Sequence, residues 1–196
     1  GVVITSEICG IILTRIATSA PQRAHELTGA SLFSVAGNAT YQNAYTLFIL
    51  PYSLIAVSVS TAMFPKISRS IAAANLDEAR HDLVSALNNV GLLIMFFAAA
   101  MVVFPEPIIR ALLPSVSMDE TMLISYALIA LSMGIPLGSA FLLIQRTFYA
   151  FEDGLHPFLS AVMQYGFTSV FMMIGMMVLP PEHWVLGIAC SVTLGG

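Results

Sequence analysis

Residues 41–65 read YQNAYTLFILPYSLIAVSVSTAMFP, a run without one Asp, Glu, Lys or Arg. A spanning α-helix needs about 20 predominantly apolar residues to cross a bilayer, and this run supplies them by length alone. Barrel strands would alternate in polarity, and this run does not. Pro51 falls in mid-run, where it removes an amide donor and clashes with the carbonyl one turn earlier, so a kink is expected there. The stretch predicts a transmembrane helix.

Working outward, the pattern recurs at about 2–20, 90–113, 121–150 and 157–179. The first window holds Glu7 and Arg15, and the third ends among Pro105, Glu106, Pro107 and Arg110. The fourth carries Pro136 midway, bracketed by Gly134 and Gly138, and Arg146 near its end. From Trp184 a further apolar run begins and stops short of a crossing. Backbone groups in lipid must be satisfied within their own segment, so each window is a helix. The expected fold is all-α, a polytopic transmembrane helix bundle of about five full spans plus the start of a sixth. Residues 1–196 would form one partial transmembrane domain.

Composition agrees. Of 196 residues, 58% are hydrophobic and 9% charged, against about 25% charged in soluble domains, and the mean hydropathy is +0.88. Seven Lys and Arg face eleven Asp and Glu for a net charge of −4, which excludes the basic stripe that nucleic-acid binding needs. Cys9 and Cys190 lie in apolar runs and read as core thiols rather than a disulfide or metal site. The chain opens at Gly1 without a Met or a basic leader and closes on Gly195-Gly196 in apolar sequence. It reads as a piece of a longer membrane protein.

Lys66, Arg69 and Arg80 follow the second span, with Arg146 on the same side; Arg15, Arg23 and Arg110 lie on the other. Arg110 has Glu106 one turn earlier as a partner, and Arg15 lies within a span. The positive-inside rule then puts a 66–89 loop in the cytoplasm. Asn75 followed by Glu78 is an N-cap pattern, and Leu76, Ala79, Leu83, Ala86 and Leu87 recur at helical spacing. An amphipathic helix on the inner membrane face is expected within that loop. The opposite loop, 21–40, reads as irregular or as a short re-entrant turn.

Few residues point to chemistry. His25, His81, His156 and His183 are scattered in expected loops, with no metal-ligand spacing and no Gly-rich phosphate loop. Glu152-Asp153 before Gly154 is first a turn signal. The charges within a span say more, because an ionisable group there is costly and marks a pathway or binding site by default. Arg15 lies two turns beyond Glu7 and about 80° round the helix at 100° per residue. The two either line one polar cavity, Glu7 for a cation and Arg15 for an anionic headgroup, or each snorkels to its own interface. Gln164, Tyr165 and Thr168 give the fifth span a small polar face, and Met163, Met172, Met173, Met176 and Met177 a soft one.

The run from Pro51 into Phe64-Pro65-Lys66-Ile67-Ser68-Arg69 resembles the MurJ (MviN) family of lipid II flippases. So does QRTFYAFEDGLHP at 145–157, where Tyr149 leads to Asp153 and a helix-starting Pro157. That family belongs to the multidrug/oligosaccharidyl-lipid/polysaccharide exporter superfamily, with two six-helix lobes around a cavity. The resemblance implies most of a second lobe and movement of lipid-linked peptidoglycan precursor from the inner to the outer leaflet. It further implies a bacterial cytoplasmic membrane, an undecaprenyl-linked sugar and membrane lipids as ligands, and cell-wall synthesis proteins as partners. It implies no covalent cofactor; a coupling cation, unidentified, would bias the alternating states from Glu7. Arg15, Glu7, Gln164 and Tyr165 become the substrate-binding candidates, and Pro51 and Pro136 the hinges. Several members of the family carry an Arg about five residues before the mid-helix Pro, where this chain has Thr46. The rivals are a polysaccharide or drug exporter of the same superfamily and a membrane-embedded glycosyltransferase. The latter needs converging acids or a metal, for which Glu152 and Asp153 are the candidates.

Overall fold

The computed structural model describes residues 2–29, 31 and 35–195. The described residues form helices and turns, with no strand among them. Helix α1 runs over Val2–Thr28, α2 over Asn38–Pro51, α3 over Ser58–Ala72 and α4 over Leu76–Val103. Then come α5 (Pro105–Leu112), α6 (Met118–Ser132), α7 (Ile135–Ala150), α8 (Leu155–Val178) and α9 (Trp184–Gly195).

The charge-free run that opened the sequence is one continuous 35-residue helix from Asn38 to Ala72. Pro51 does not break it. The chain passes from α2 into a π-helical turn, Tyr52–Val57, and on into α3. A π turn bonds i to i+5 and so holds a wider ring than the α-helix, which accommodates the missing donor within an unbroken helix. With α4 and α8, this makes three helices long and apolar enough to cross a membrane; α6 and α7, bent by 43° at the break between them, make a fourth crossing if taken together. The five expected spans are therefore not matched one for one. α1 has the length, 27 residues, but Glu7, Arg15, Arg23 and Glu26 interrupt its apolar character, and α9 is short at 12 residues.

Several ends differ from expectation. α1 continues through Pro21 to Thr28, so the first part of the expected 21–40 loop is helical; Ala30 and residues 32–34 of that loop lie outside the described residues. Pro105 and Pro107 do not bend the third span but start a new helix after a break at Phe104, as suits residues with no amide to satisfy in a first turn. Pro136 sits at the second position of α7 rather than in mid-helix. Cys190 is exposed, while Cys9 is buried.

The 66–89 stretch is helical on both sides of a tight turn. α3 ends in paired bonds from the Ala74 amide to the Ile71 carbonyl and from the Asn75 amide to the Ser70 carbonyl, with Ala74 at φ 57°. That is a Schellman arrangement, which caps orphan carbonyls through one left-handed residue. The Asn75 side chain then accepts from the Glu78 amide at 3.3 Å while its own amide reaches the Glu78 carboxylate at 2.9 Å. Ser117 and Glu120 repeat this box at the start of α6.

Packing joins the hairpin α3/α4 to α7, sets α8 and α9 together against α1, and lays α2 on α6. Leu47, Val90, Ile94, Leu128, Leu131 and Ile188 form the buried centre. Lys66 on α3 pairs with Asp82 on α4 at 2.6 Å, with 57% of the Lys66 side chain exposed and 7% of that of Asp82. At the α6/α7 break, a Cβ on Gly134 would stand 3.0 Å from the Thr193 methyl of α9. Thr193 there donates to the Ala130 carbonyl at 2.7 Å.

Candidate functional site

The interior of the bundle is not filled. Three cavities of about 250, 300 and 310 Å³ share Gln164 and Tyr165 of α8 as a common wall. One is closed by the small-residue face of α1 around Cys9 and Gly10. Another opens towards α9 at Thr193 and the α6/α7 break at Gly134. A third runs along α7 to Gln145.

Opposite Gln164 and Tyr165 stands one face of α2. Tyr41, Tyr45, Phe48 and Tyr52 recur at helical spacing, which places them on one side. Consecutive ring centroids lie 5.9, 5.5 and 6.4 Å apart. Tyr45, Phe48 and Tyr52 line the cavities. None of the three cavities has an Asp, Glu, Lys or Arg in its lining. Among the described residues, the side chains of Gln145 and Gln164 and the hydroxyls of Tyr45, Tyr52 and Tyr165 have no hydrogen-bond partner. A polar group left unpaired away from water costs about 1–3 kcal/mol, so walls of this kind hold water or a polar ligand.

The four substrate-binding candidates separate into two pairs. Gln164 and Tyr165 meet at the shared cavity wall. Glu7 and Arg15 lie exposed on another face of α1, where they line one open recess with Gly10, Ile11 and Thr14. Gly10 and Thr14 also line a cavity on the inner side, so α1 is the partition between the two places. Thr46 is exposed and bonds back to the Gln42 carbonyl at 2.8 Å.

The motif residues have structural partners. Pro65 is exposed within α3, and Arg69 donates from Nε to its carbonyl at 3.2 Å. Ser68 is half-buried with its hydroxyl unpartnered. Tyr149 is exposed, and Pro157 is buried as the third residue of α8. The turn between α7 and α8 is a second Schellman arrangement, in which Asp153 donates to the Phe148 carbonyl and Glu152 to that of Tyr149. The left-handed residue there is Glu152, at φ 60°, rather than Gly154. Asp153 caps α8, accepting from the Leu155 and His156 amides at 3.0 and 3.2 Å. The His156 amide foremost, with the His156 ring and the Leu155 amide, holds the Asp153 carboxyl below the usual carboxylate range. Glu152 and Asp153 thus serve a turn and a cap and form no pair of acids facing a common substrate. Arg110 contacts the Met118 sulfur, and no ion pair joins it to Glu106. Among the described residues, no group of His, Cys, Asp and Glu is arranged to hold a metal ion.

Sequence reasoning missed the aromatic face of α2, although its 41, 45, 48, 52 spacing was visible, and it missed the Lys66–Asp82 pair. The first had a helical-period signal; the second joins two helices and had none.

Long apolar helices around uncharged, hydrogen-bonding walls define a class, the polytopic membrane transport bundle. A family model described as "Lipid II flippase MurJ" matches residues 10–196, and the chain belongs to that family. It is 26% identical over 161 residues to "Lipid II flippase MurJ" of Thermosipho africanus (strain TCF52B), covering 79% of this chain and 31% of the relative. It is 29% identical over 120 residues to "Probable lipid II flippase MurJ" of Rhizobium meliloti (strain 1021), covering 59% and 22%. A solved structure, "Lipid II flippase MurJ, inward closed conformation", superposes with a TM-score of 0.77 at 21% identity, over 99% of this chain and 38% of that one. That likeness speaks for the fold. The chain spans between a fifth and a third of the length of these curated relatives.

Proposed function

We propose that this chain is one lobe of a flippase that carries lipid II from the inner to the outer leaflet of a bacterial cytoplasmic membrane. Family membership over residues 10–196 supports the substrate. The observation that carries the mechanism is the set of cavities walled by Gln164 and Tyr165, in which polar groups stand without protein partners. A headgroup of sugars and diphosphate cannot cross hydrocarbon unaided. A polar interior would shelter it while the polyprenyl tail stays in lipid, and alternating exposure of that interior to the two sides would complete the transfer. The break between α6 and α7 and the π turn after Pro51 are the places where the lobe would flex. Arg15 would meet anionic groups at the recess, Glu7 would take a coupling cation, and cell-wall synthesis proteins would receive the product.

The test is depletion of the full-length protein in its native cell. Lipid II accumulating where only the cytoplasmic leaflet is accessible supports the reading; normal outer-leaflet lipid II overturns it. The orientation is checked separately. A cysteine at exposed Asp77 should be labelled from the cytoplasm and one at exposed Glu26 from outside, and the reverse pattern inverts the topology.

A further inference from the structure

Resting on the flippase reading, we infer that the aromatic face of α2 and the amides of α7 and α8 form a saccharide subsite, so that this lobe grips the sugar portion of the substrate and leaves its diphosphate to charges elsewhere. Charge decides first. A diphosphate calls for Arg or Lys, preferably in bidentate geometry, and the cavity linings contain neither. A hard cation calls for several oxygen ligands, usually carboxylates among them, and the linings contain no carboxylate either.

What the walls do offer suits an uncharged polyol. Tyr45, Phe48 and Tyr52 present neighbouring rings with centroids 5.5 and 6.4 Å apart. The negative faces of such rings attract weakly positive C–H groups, and one face of a pyranose ring is made of these. From residue 45 to residue 52 the strip extends about 10 Å at 1.5 Å per residue, so it is longer than a single ring. Gln145 and Gln164 each bring two donors and one acceptor, and Tyr165 brings a hydroxyl that both donates and accepts. That combination matches adjacent sugar hydroxyls and the amide of an N-acetyl group. Among the described residues, none of these side chains spends its hydrogen bonds on the protein.

The experiment measures binding of three lipids to the full-length protein in one detergent: lipid II, its monosaccharide form, and the same polyprenyl diphosphate without sugar. The variants are Phe48→Leu, Gln164→Leu and Tyr165→Phe, the last keeping ring and shape while removing one hydroxyl. Each is expected to weaken lipid II about three- to tenfold, the range for a neutral hydrogen bond or an aromatic contact, and to leave the sugar-free lipid unchanged. Equal weakening of all three lipids overturns the subsite, as does unchanged discrimination by sugar in Tyr165→Phe. A wild-type protein that binds none of the three overturns the flippase reading itself, an outcome distinct from variants that keep wild-type preference. A variant that does not fold is set aside on its unfolding profile, and Tyr165→Phe decides.

Discussion

Replacing Lys66 by Met should destabilise the protein far more than replacing its partner Asp82 by Asn, although both remove one ion pair. The asymmetry follows from exposure. The Asp82 side chain is 7% exposed and its bond partner Lys66 57%, and the second Asp82 carboxylate oxygen is buried without a partner. Without Lys66, the carboxylate keeps only a 4.0 Å approach from the outward-facing His81 ring. Hydrogen bonds to charged groups are worth about 1.5–3 kcal/mol. Because the ammonium is half in water, a loss near the lower end, about 1.5–2 kcal/mol, is expected for Lys66→Met. Asp82→Asn leaves a lysine that turns to solvent, so it should cost under about 1 kcal/mol. Replacing both residues, as Lys66→Met with Asp82→Leu, should recover most of the loss, since apolar pairs often replace buried ion pairs without cost. Equilibrium unfolding of the full-length protein in mixed micelles reads all three as a double-mutant cycle. Equal costs for the two single variants, or additive costs in the double, would refute the reasoning.

Gly134→Val should force Thr193 away from the α6/α7 break, where a Cβ would already stand 3.0 Å from it; transport is expected to fall with insertion intact, measured as flipping at equal membrane levels. The amides of His156 and Leu155 lower the Asp153 carboxyl, so the cap adds stability that is complete above the unfolded value near 3.9 and is lost as pH falls through the lower folded value. Hydrogen exchange at the Leu155 and His156 amides should rise below about pH 4 in the native protein, and Asp153→Asn should flatten that rise. Arg15→Gln is expected to weaken polyprenyl diphosphate binding about ten- to a hundredfold, the equivalent of one charged hydrogen bond, with Arg15→Lys recovering only part of it. Full flipping by Arg15→Gln would remove Arg15 from the site.

Legibility in the sequence followed the range of the cause. The uncharged runs at 41–65 and 157–179 are imposed by hydrocarbon, a solvent that acts on every residue alike, and they appear as the long α2–α3 helix and α8. Asn75 with Glu78 is a local box and was readable for that reason. Pro21 misled, because a proline early in an expected loop reads as a breaker, whereas α1 carries it inside a helix that packs against α8 and α9. Glu152 misled because glycine is the usual left-handed residue and Gly154 stood two positions away. The division of Glu7 and Arg15 from Gln164 and Tyr165 was out of reach. Helical phase says which residues share a side of α1, but not which side meets α8.

The π turn has a consequence for counting residues. The segment between Pro51 and the Lys66–Asp82 pair holds its length only because Tyr52–Val57 coils more loosely than the helix around it. Deleting one exposed residue there, such as Ser53, would let the turn tighten to ordinary α geometry and rotate everything beyond it by about 100°. Ser60, Ile67 and Ser70, now buried on one side of α3, would swing out, and Lys66 would no longer face Asp82. Length changes in this stretch should therefore survive only with a compensating change before α4, and a library of single-residue deletions would read this as a gap in tolerance running from the π turn to the hairpin.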